Sequence, residues 1–235
     1  MAIITAKKLF NDFLSIIYPH CCAACEDAYA LEGDHFCLRC RTKISNTDHF
    51  ENEENELLIR LAGRVETQHG AALFKFIKEG IIQEVVHKIK YKGRDDLIYS
   101  FGQQFGAKLL SSDLFKPIDL ILPIPVHRSR LRKRGFNQSE VFSQGISDII
   151  KRPVESDCLR KTNKSNSQTK KSRVDRFQNV LESFELCKPE KLQNKAILLV
   201  DDVLTTGATI EAAFKILNSV SGLTIQIGIL ALAHE

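Results

Sequence analysis

Hydrophobic positions along this chain fall into two rhythms. Four successive aliphatics, Ile197 to Val200, have the pattern of a strand buried on both faces. Gly70–Phe76, Asp119–Val126 (closing on Pro123 and Pro125) and Thr224–Leu232 read as further strands. Ile81–Lys90, with apolar positions every four residues, reads as a helix, as do Leu97–Leu110, Ser139–Ile150 and Ile210–Val220. Residues 3–18 predict an amphipathic helix burying Leu9, Phe10, Phe13, Leu14, Ile16 and Ile17; Lys7, Lys8, Asn11 and Asp12 interrupt it, unlike a secretion signal. Leu159–Asn179 is polar and without period, which predicts a long mobile loop of the kind kept for function. Strands alternating with helices predict an α/β fold with a mainly parallel sheet and ligands at the strands' C-terminal ends.

The apolar run at Val200 ends in two acids, Asp201 and Asp202, followed by Thr205, Thr206, Gly207, Ala208 and Thr209 before the next helix. Backbone N–H groups at a helix start, with threonine hydroxyls, can cradle a phosphate monoester. Gly207 lets the backbone come close to it, and the two carboxylates can hold the vicinal hydroxyls of a ribose. An ordinary strand-to-helix turn capped by threonines leaves the paired acids unexplained. The segment resembles the phosphoribosyl pyrophosphate (PRPP) loop of type I phosphoribosyltransferases.

Composition adds limits. The 235 residues suffice for one α/β core and a small extra module, and 43% hydrophobic with 26% charged residues is ordinary globular usage. No apolar run reaches membrane-spanning length, so membrane insertion is not expected and a cytoplasmic location is. Net charge is +4 but unevenly spread. An acidic connector, Glu51–Glu56, ends near Leu57; Arg128–Arg134 holds five basic residues in seven, and Lys151–Arg176 nine against three acids. Solvated surface charge is the ordinary reading of such runs, but both flank the phosphate motif and suit an anionic ligand or a polyanion such as nucleic acid.

Five of the seven cysteines lie between positions 21 and 40. Cys22, Cys25, Cys37 and Cys40 form two C-x-x-C knuckles, the spacing of a closed, structural Zn²⁺ site. Disulfides are the rival reading and lack a secretion signal in support. Cys21 is spare in this register, with His20 and His35 as weaker alternative ligands. The predicted organisation is a helix and zinc module over residues 1–50, dependent on its metal to fold, and a phosphoribosyltransferase-like domain over 60–235.

Together these pieces resemble the ComF family of competence and gluconate-associated proteins over nearly the full length. Tyr18-Pro19 before the knuckles is similar to its zinc finger, and Lys90-Tyr91-Lys92-Gly93-Arg94 to its K-Y-K-G element. Pro123-Ile124-Pro125-Val126 and Arg134-Gly135-Phe136-Asn137-Gln138 resemble its strand and pyrophosphate-loop segment. Gln168, Arg176, Asn179, Val180 and Phe184 match its spaced loop signature, with departures at Ser165, Lys171 and Ser183. The resemblance implies a type I phosphoribosyltransferase fold and a PRPP pocket served by Mg²⁺. It places Val126, His127, Arg128, Arg134 and Lys92 around the pyrophosphate, and a closing flap over residues 160–176 with Gln168, Arg173 and Arg176. It also implies a part in handling incoming single-stranded DNA alongside competence machinery.

Three functional classes compete: a phosphoribosyltransferase acting on an unknown nucleobase-like acceptor, a DNA-handling protein, and a PRPP or nucleotide sensor without chemistry. The acid pair and threonine cluster favour retained ligand binding; the basic runs and zinc module favour DNA. The reading taken is a ComF-type protein that binds PRPP or a related phosphate and works in DNA uptake. No base-selecting segment names an acceptor, and the sequence assigns no oligomeric state.

Overall fold

A computed structural model describes residues 21–31, 34–67, 69–162 and 184–234 of the chain. In chain order its helices are α1 (Leu38–Arg41), α2 (Glu56–Leu61), α3 (Ile81–Lys92), α4 (Asp95–Ser111), α5 (Arg128–Arg134), α6 (Gln138–Ile150) and α7 (Ala208–Leu217). The strands are β1 (Gly70–Phe76), β2 (Leu120–Pro123), β3 (Leu159–Lys161), β4 (Phe184–Leu186), β5 (Ala196–Leu204) and β6 (Thr224–Ala233). Four strands form one parallel sheet in the order β1-β6-β5-β2.

The run of aliphatics in β5 is explained by two faces. Leu198 and Val200 point to a cluster with Ile121, Phe101, Phe105 and Phe142, beneath α3, α4 and α6. Ile197 and Leu199 point the other way, to Ile227, Ile229, Leu61 and the apolar side of α7. Helices thus cover both faces of the sheet, as an all-parallel sheet requires. On the first face α4 and α6 cross through Gly102 and Gly145, where a methyl would collide with the carbonyls of Phe142 and Tyr99.

The cysteine segment packs onto that same face. Phe36 stacks on Phe101 with centroids 6.1 Å apart, and Phe101 meets Phe74 of β1 edge-on at 5.1 Å. The buried Cys22, Cys37 and Cys40 therefore belong to a core continuous with the sheet's, where the sequence suggested a separate one.

Three local elements differ from the sequence reading. The acidic connector, Glu51–Glu56, leads into α2, which is too short to show a period and was not expected; Asn55 caps it by accepting from Leu58 N–H at 3.2 Å. The basic run Arg128–Arg134, given no element by the sequence reading, is helix α5: His127 Nδ1 accepts from Ser129 N–H at 3.2 Å, and Gly135, at φ 83°, closes its end. The loop expected from Leu159 instead starts with β3, which pairs antiparallel with β4 (Leu159 opposite Leu186, Lys161 opposite Phe184). Buried Leu159 and Phe184 anchor that pair in the second cluster. The N-terminal helix, Gln168, Arg173, Arg176 and the remainder of the flap lie outside the described residues, as does the side chain of Lys92, at the end of α3.

Candidate functional site

The C-terminal ends of β2 and β5 are adjacent because the two strands pair in parallel, Pro123 beside Val200. The segment leaving each strand forms one wall of the site.

The β5 wall holds the acids. The strand runs on to Leu204, so Asp201 and Asp202 sit within its last residues, not just beyond its end. Asp201 is 8% exposed; its Oδ1 accepts from Ser139 Oγ at 3.0 Å and from Asp202 N–H at 2.9 Å. Burial, aided by the Asp202 charge, pushes the Asp201 carboxyl up to about 7, against the opposing pull of those donors. Asp202 Oδ1 accepts from Val203 N–H at 2.8 Å, and its Oδ2 lies 2.9 Å from Lys90 Nζ.

Thr205 to Gly207 turn the chain into α7. Arg60 Nη1 donates to Thr205 O and Arg64 Nη1 to Thr206 O, both at 2.9 Å. Arg64 also approaches Glu211 Oε2 at 3.4 Å. Two arginines on and just after α2 thus hold the turn by its carbonyls. Among the described residues, the N–H groups of Thr205, Thr206 and Gly207 donate to no protein acceptor. Gly207 has φ +82°, and a Cβ there would lie 2.7 Å from Leu61 Cδ2, so glycine is required on two counts. Thr205 and Thr206 are exposed, and Ala208 and Thr209 half-buried. Carbonyls tied back and amides left open make a fitting cradle for an anion at the start of a ten-residue helix.

The β2 wall is the short loop Ile124–His127. Asn137 Nδ2 donates to Ile124 O at 3.1 Å and fixes it, with Val126 and His127 half-buried above. Arg128 is exposed at the start of α5, whereas Arg134 turns back, donating to Gln138 Oε1 at 3.0 Å. Arg130 and Lys161 complete the surroundings. Burial lowers the Lys161 ammonium, the Asp201 and Asp202 carboxylates oppose that, and Arg130 adds to it. Lys161 Nζ also rests 5.0 Å from the centroid of the Phe184 ring. The structure thus brings Asp201, Asp202, the Thr205–Thr209 turn, Val126 and His127 to one end of the sheet, and leaves Arg134 bonded to its own motif. Arg60, Arg64, Lys90, Ser139 and Lys161 were not anticipated individually; Lys90, Ser139 and Lys161 carried a signal, being inside or next to recognised motifs or the expected flap, and Arg60 and Arg64 carried none. A separate cavity of about 610 Å³, lined by residues including His69, Lys116, Phe214 and Gln226, opens near the start of β6, and no predicted site residue lines it.

The second candidate is the cysteine group. The sulfurs of Cys22, Cys25, Cys37 and Cys40 all lie within 4.8 Å of one another, Cys25 and Cys37 at 3.9 Å. A tetrahedral metal with sulfur ligands at ~2.3 Å has an S–S edge of ~3.8 Å, so the donor set fits a metal ion. Burial pushes the Cys40 thiol up to about 12, while the Cys25 thiol, accepting from the Asp27 N–H, is drawn down to about 6. Four thiolates this close need a cation to ionise together. Arg39 stands beside them, its guanidinium held charged chiefly by Cys25. Lys88 Nζ donates to Ala23 O at 3.3 Å and to Ala24 O, fastening the segment to α3.

With this geometry in view, the sequence signature of the phosphoribosyl transferase domain matches residues 109–235, and the chain belongs to that family. Within it the curated relatives bear out the ComF resemblance. Competence protein F of Haemophilus influenzae is 31% identical over 116 residues, 49% of this chain and 51% of that protein. Competence protein ComFC of Bacillus subtilis is 28% identical over 138 residues, 58% and 53% respectively. DNA utilization protein YhgH of Escherichia coli K12 is 26% identical over 150 residues, 62% and 65%. The chain spans between about half and two thirds of the length of these relatives. Among solved structures, a Bacillus subtilis glutamine PRPP amidotransferase complexed with ADP and GMP is similar over 60% of this chain and 30% of that one, at 18% identity and a TM-score of 0.41. No helix among the described residues is long and apolar enough to cross a membrane.

Proposed function

We propose that this is a ComF-type phosphoribosyltransferase-like protein whose pocket binds PRPP or a related sugar phosphate, and which works in the cytoplasm on incoming single-stranded DNA during competence. The carrying observation is the Thr205–Gly207 turn, held by Arg60 and Arg64 with its amides open, directly after two carboxylates at a parallel-sheet end. The turn takes the 5-phosphate through backbone N–H groups, and Asp201 and Asp202 accept from the ribose hydroxyls. The Ile124–His127 loop receives the pyrophosphate. Mg²⁺, bound with the ligand, supplies positive charge to the pyrophosphate oxygens. The residues' own parts are binding and orientation: Ser139 fixes the Asp201 carboxylate and Asn137 the opposing loop. In the cysteine module (proposed over residues 1–50, before a transferase-like domain over 60–235) Cys22, Cys25, Cys37 and Cys40 hold Zn²⁺ structurally.

The DNA role is supported by α5, which buries none of its residues and exposes Arg128, Arg130, Arg132 and Lys133, and by the relatives' names. Single-stranded DNA should bind with little sequence preference and weaken steeply between low and moderate salt. R132E/K133E, which leaves Arg130 beside the site untouched, should lose most of that binding and keep sugar-phosphate binding. An absence of strand affinity in the wild type at low salt removes the DNA role and leaves the pocket. The intact acid pair also suits pentosyl transfer to an acceptor; release of pyrophosphate from PRPP in a screen of nucleobases, lost on Asp201→Asn, would favour that reading.

A further inference from the structure

Lys90 and Asp202 form an ion pair inside the site: Nζ to Oδ2 is 2.9 Å, with the side chains 22% and 18% exposed. Asp202 Oδ1 is already engaged by Val203 N–H at 2.8 Å. Oδ2 is therefore the oxygen left for a ligand hydroxyl, and Lys90 holds it. On the other flank Lys161 already feels Asp201, Asp202 and Arg130. A vicinal diol docking on Asp202 thus draws Lys90 off its partner, and a half-buried charge deprived of its counter-ion is costly. A ligand that carries its own anionic group beside the diol gives that cation a new partner. A sugar monophosphate, whose single anion lies in the Thr205–Gly207 cradle, does not.

We propose that Lys90 is the specificity-determining residue of this pocket, moving from Asp202 to an anionic group next to the bound diol and so selecting sugar diphosphate esters over sugar monophosphates. This rests on the sugar-phosphate reading above and replaces Lys92 by Lys90 as the working cation of the K-Y-K-G element.

Titration calorimetry with PRPP and with ribose 5-phosphate, each with Mg²⁺, tests it on the full chain and on Lys90→Gln and Lys90→Arg. Lys90→Gln should bind PRPP roughly tenfold or more weakly, as expected for loss of a charge-assisted contact. The same variant should bind ribose 5-phosphate unchanged or more tightly, since Asp202 Oδ2 is released. Lys90→Arg should restore the preference for PRPP. Lys90→Met, which keeps the apolar stem, gives the same readout should Lys90→Gln not fold. Equal weakening of both ligands would show a structural residue only, and unchanged PRPP affinity would show no contact; either overturns the proposal. A wild-type protein that binds neither ligand would instead overturn the pocket reading itself, and Lys90's role with it.

Discussion

Asp201 has a carboxyl held near pKa 7 by burial and by Asp202, well above the ordinary 3.8. Between those two values the folded chain keeps a proton that the unfolded chain has released, so stability falls as pH rises through that window and levels off above it. Asp201→Asn should abolish that slope. Urea midpoints measured from pH 4 to pH 8 should show the variant matching the wild type at the acid end and exceeding it at the alkaline end. Parallel curves would mean that Asp201 titrates normally. Gly207 makes a second residue-scale test. Gly207→Ala places a methyl 2.7 Å from Leu61 at φ +82°, and should lower stability by about 1–3 kcal/mol and weaken phosphate binding, read by melting with and without ribose 5-phosphate. At this scale the acids, the threonines and the glycine were legible in sequence, because one short motif brings them together. Arg60 and Arg64 were not: they reach the turn across 145 and 142 residues of chain, and neither period nor spacing carries such a contact.

Elements were legible in proportion to their length and period. β1 was read at its observed limits, and the long helices to within a few residues, because a sheet buried on both faces and amphipathic helices leave strong patterns. Helix α5 was missed because no residue of it is buried: with no apolar side there is nothing for periodicity to detect. The β3–β4 pair was missed because each strand is three residues long and its partner lies beyond an intervening segment. The cysteine module was recognised by spacing, but its attachment was invisible, since Phe36 on Phe101 is a contact between distant segments. That attachment makes a prediction. Treatment with a strong chelator to remove the proposed metal, or Cys22→Ser, should lower the melting temperature of the whole folded unit by several degrees in one cooperative transition, because the module's core is continuous with the sheet's. Two separated transitions in calorimetry, with the upper one unmoved, would show a module that melts alone.

For the whole molecule, the parallel sheet and the end of it where the candidate site lies come from chain order, while the charge that surrounds that end comes from four separate places. Lys90 is on α3, Arg130 on α5, Lys161 on β3 and the two acids on β5. The acids and their basic neighbours, Arg130 among them, act on one another within the site, and Arg132 and Lys133, further along α5, are exposed to solvent. That separation is why small-molecule binding and strand binding should respond to different substitutions and to salt in different degrees. The central claim is that the Asp201–Asp202 pair and the Thr205–Gly207 turn form a sugar-phosphate pocket. Its most direct measurement is the affinity of PRPP with Mg²⁺, by calorimetry, for the wild type and for the Asp201→Asn, Asp202→Asn double variant. Clear binding is expected of the wild type. A double variant that still melts cooperatively should lose at least about a hundredfold, two carboxylate–hydroxyl contacts at roughly 1.4 kcal/mol or more each. The same affinity in both proteins would contradict that claim.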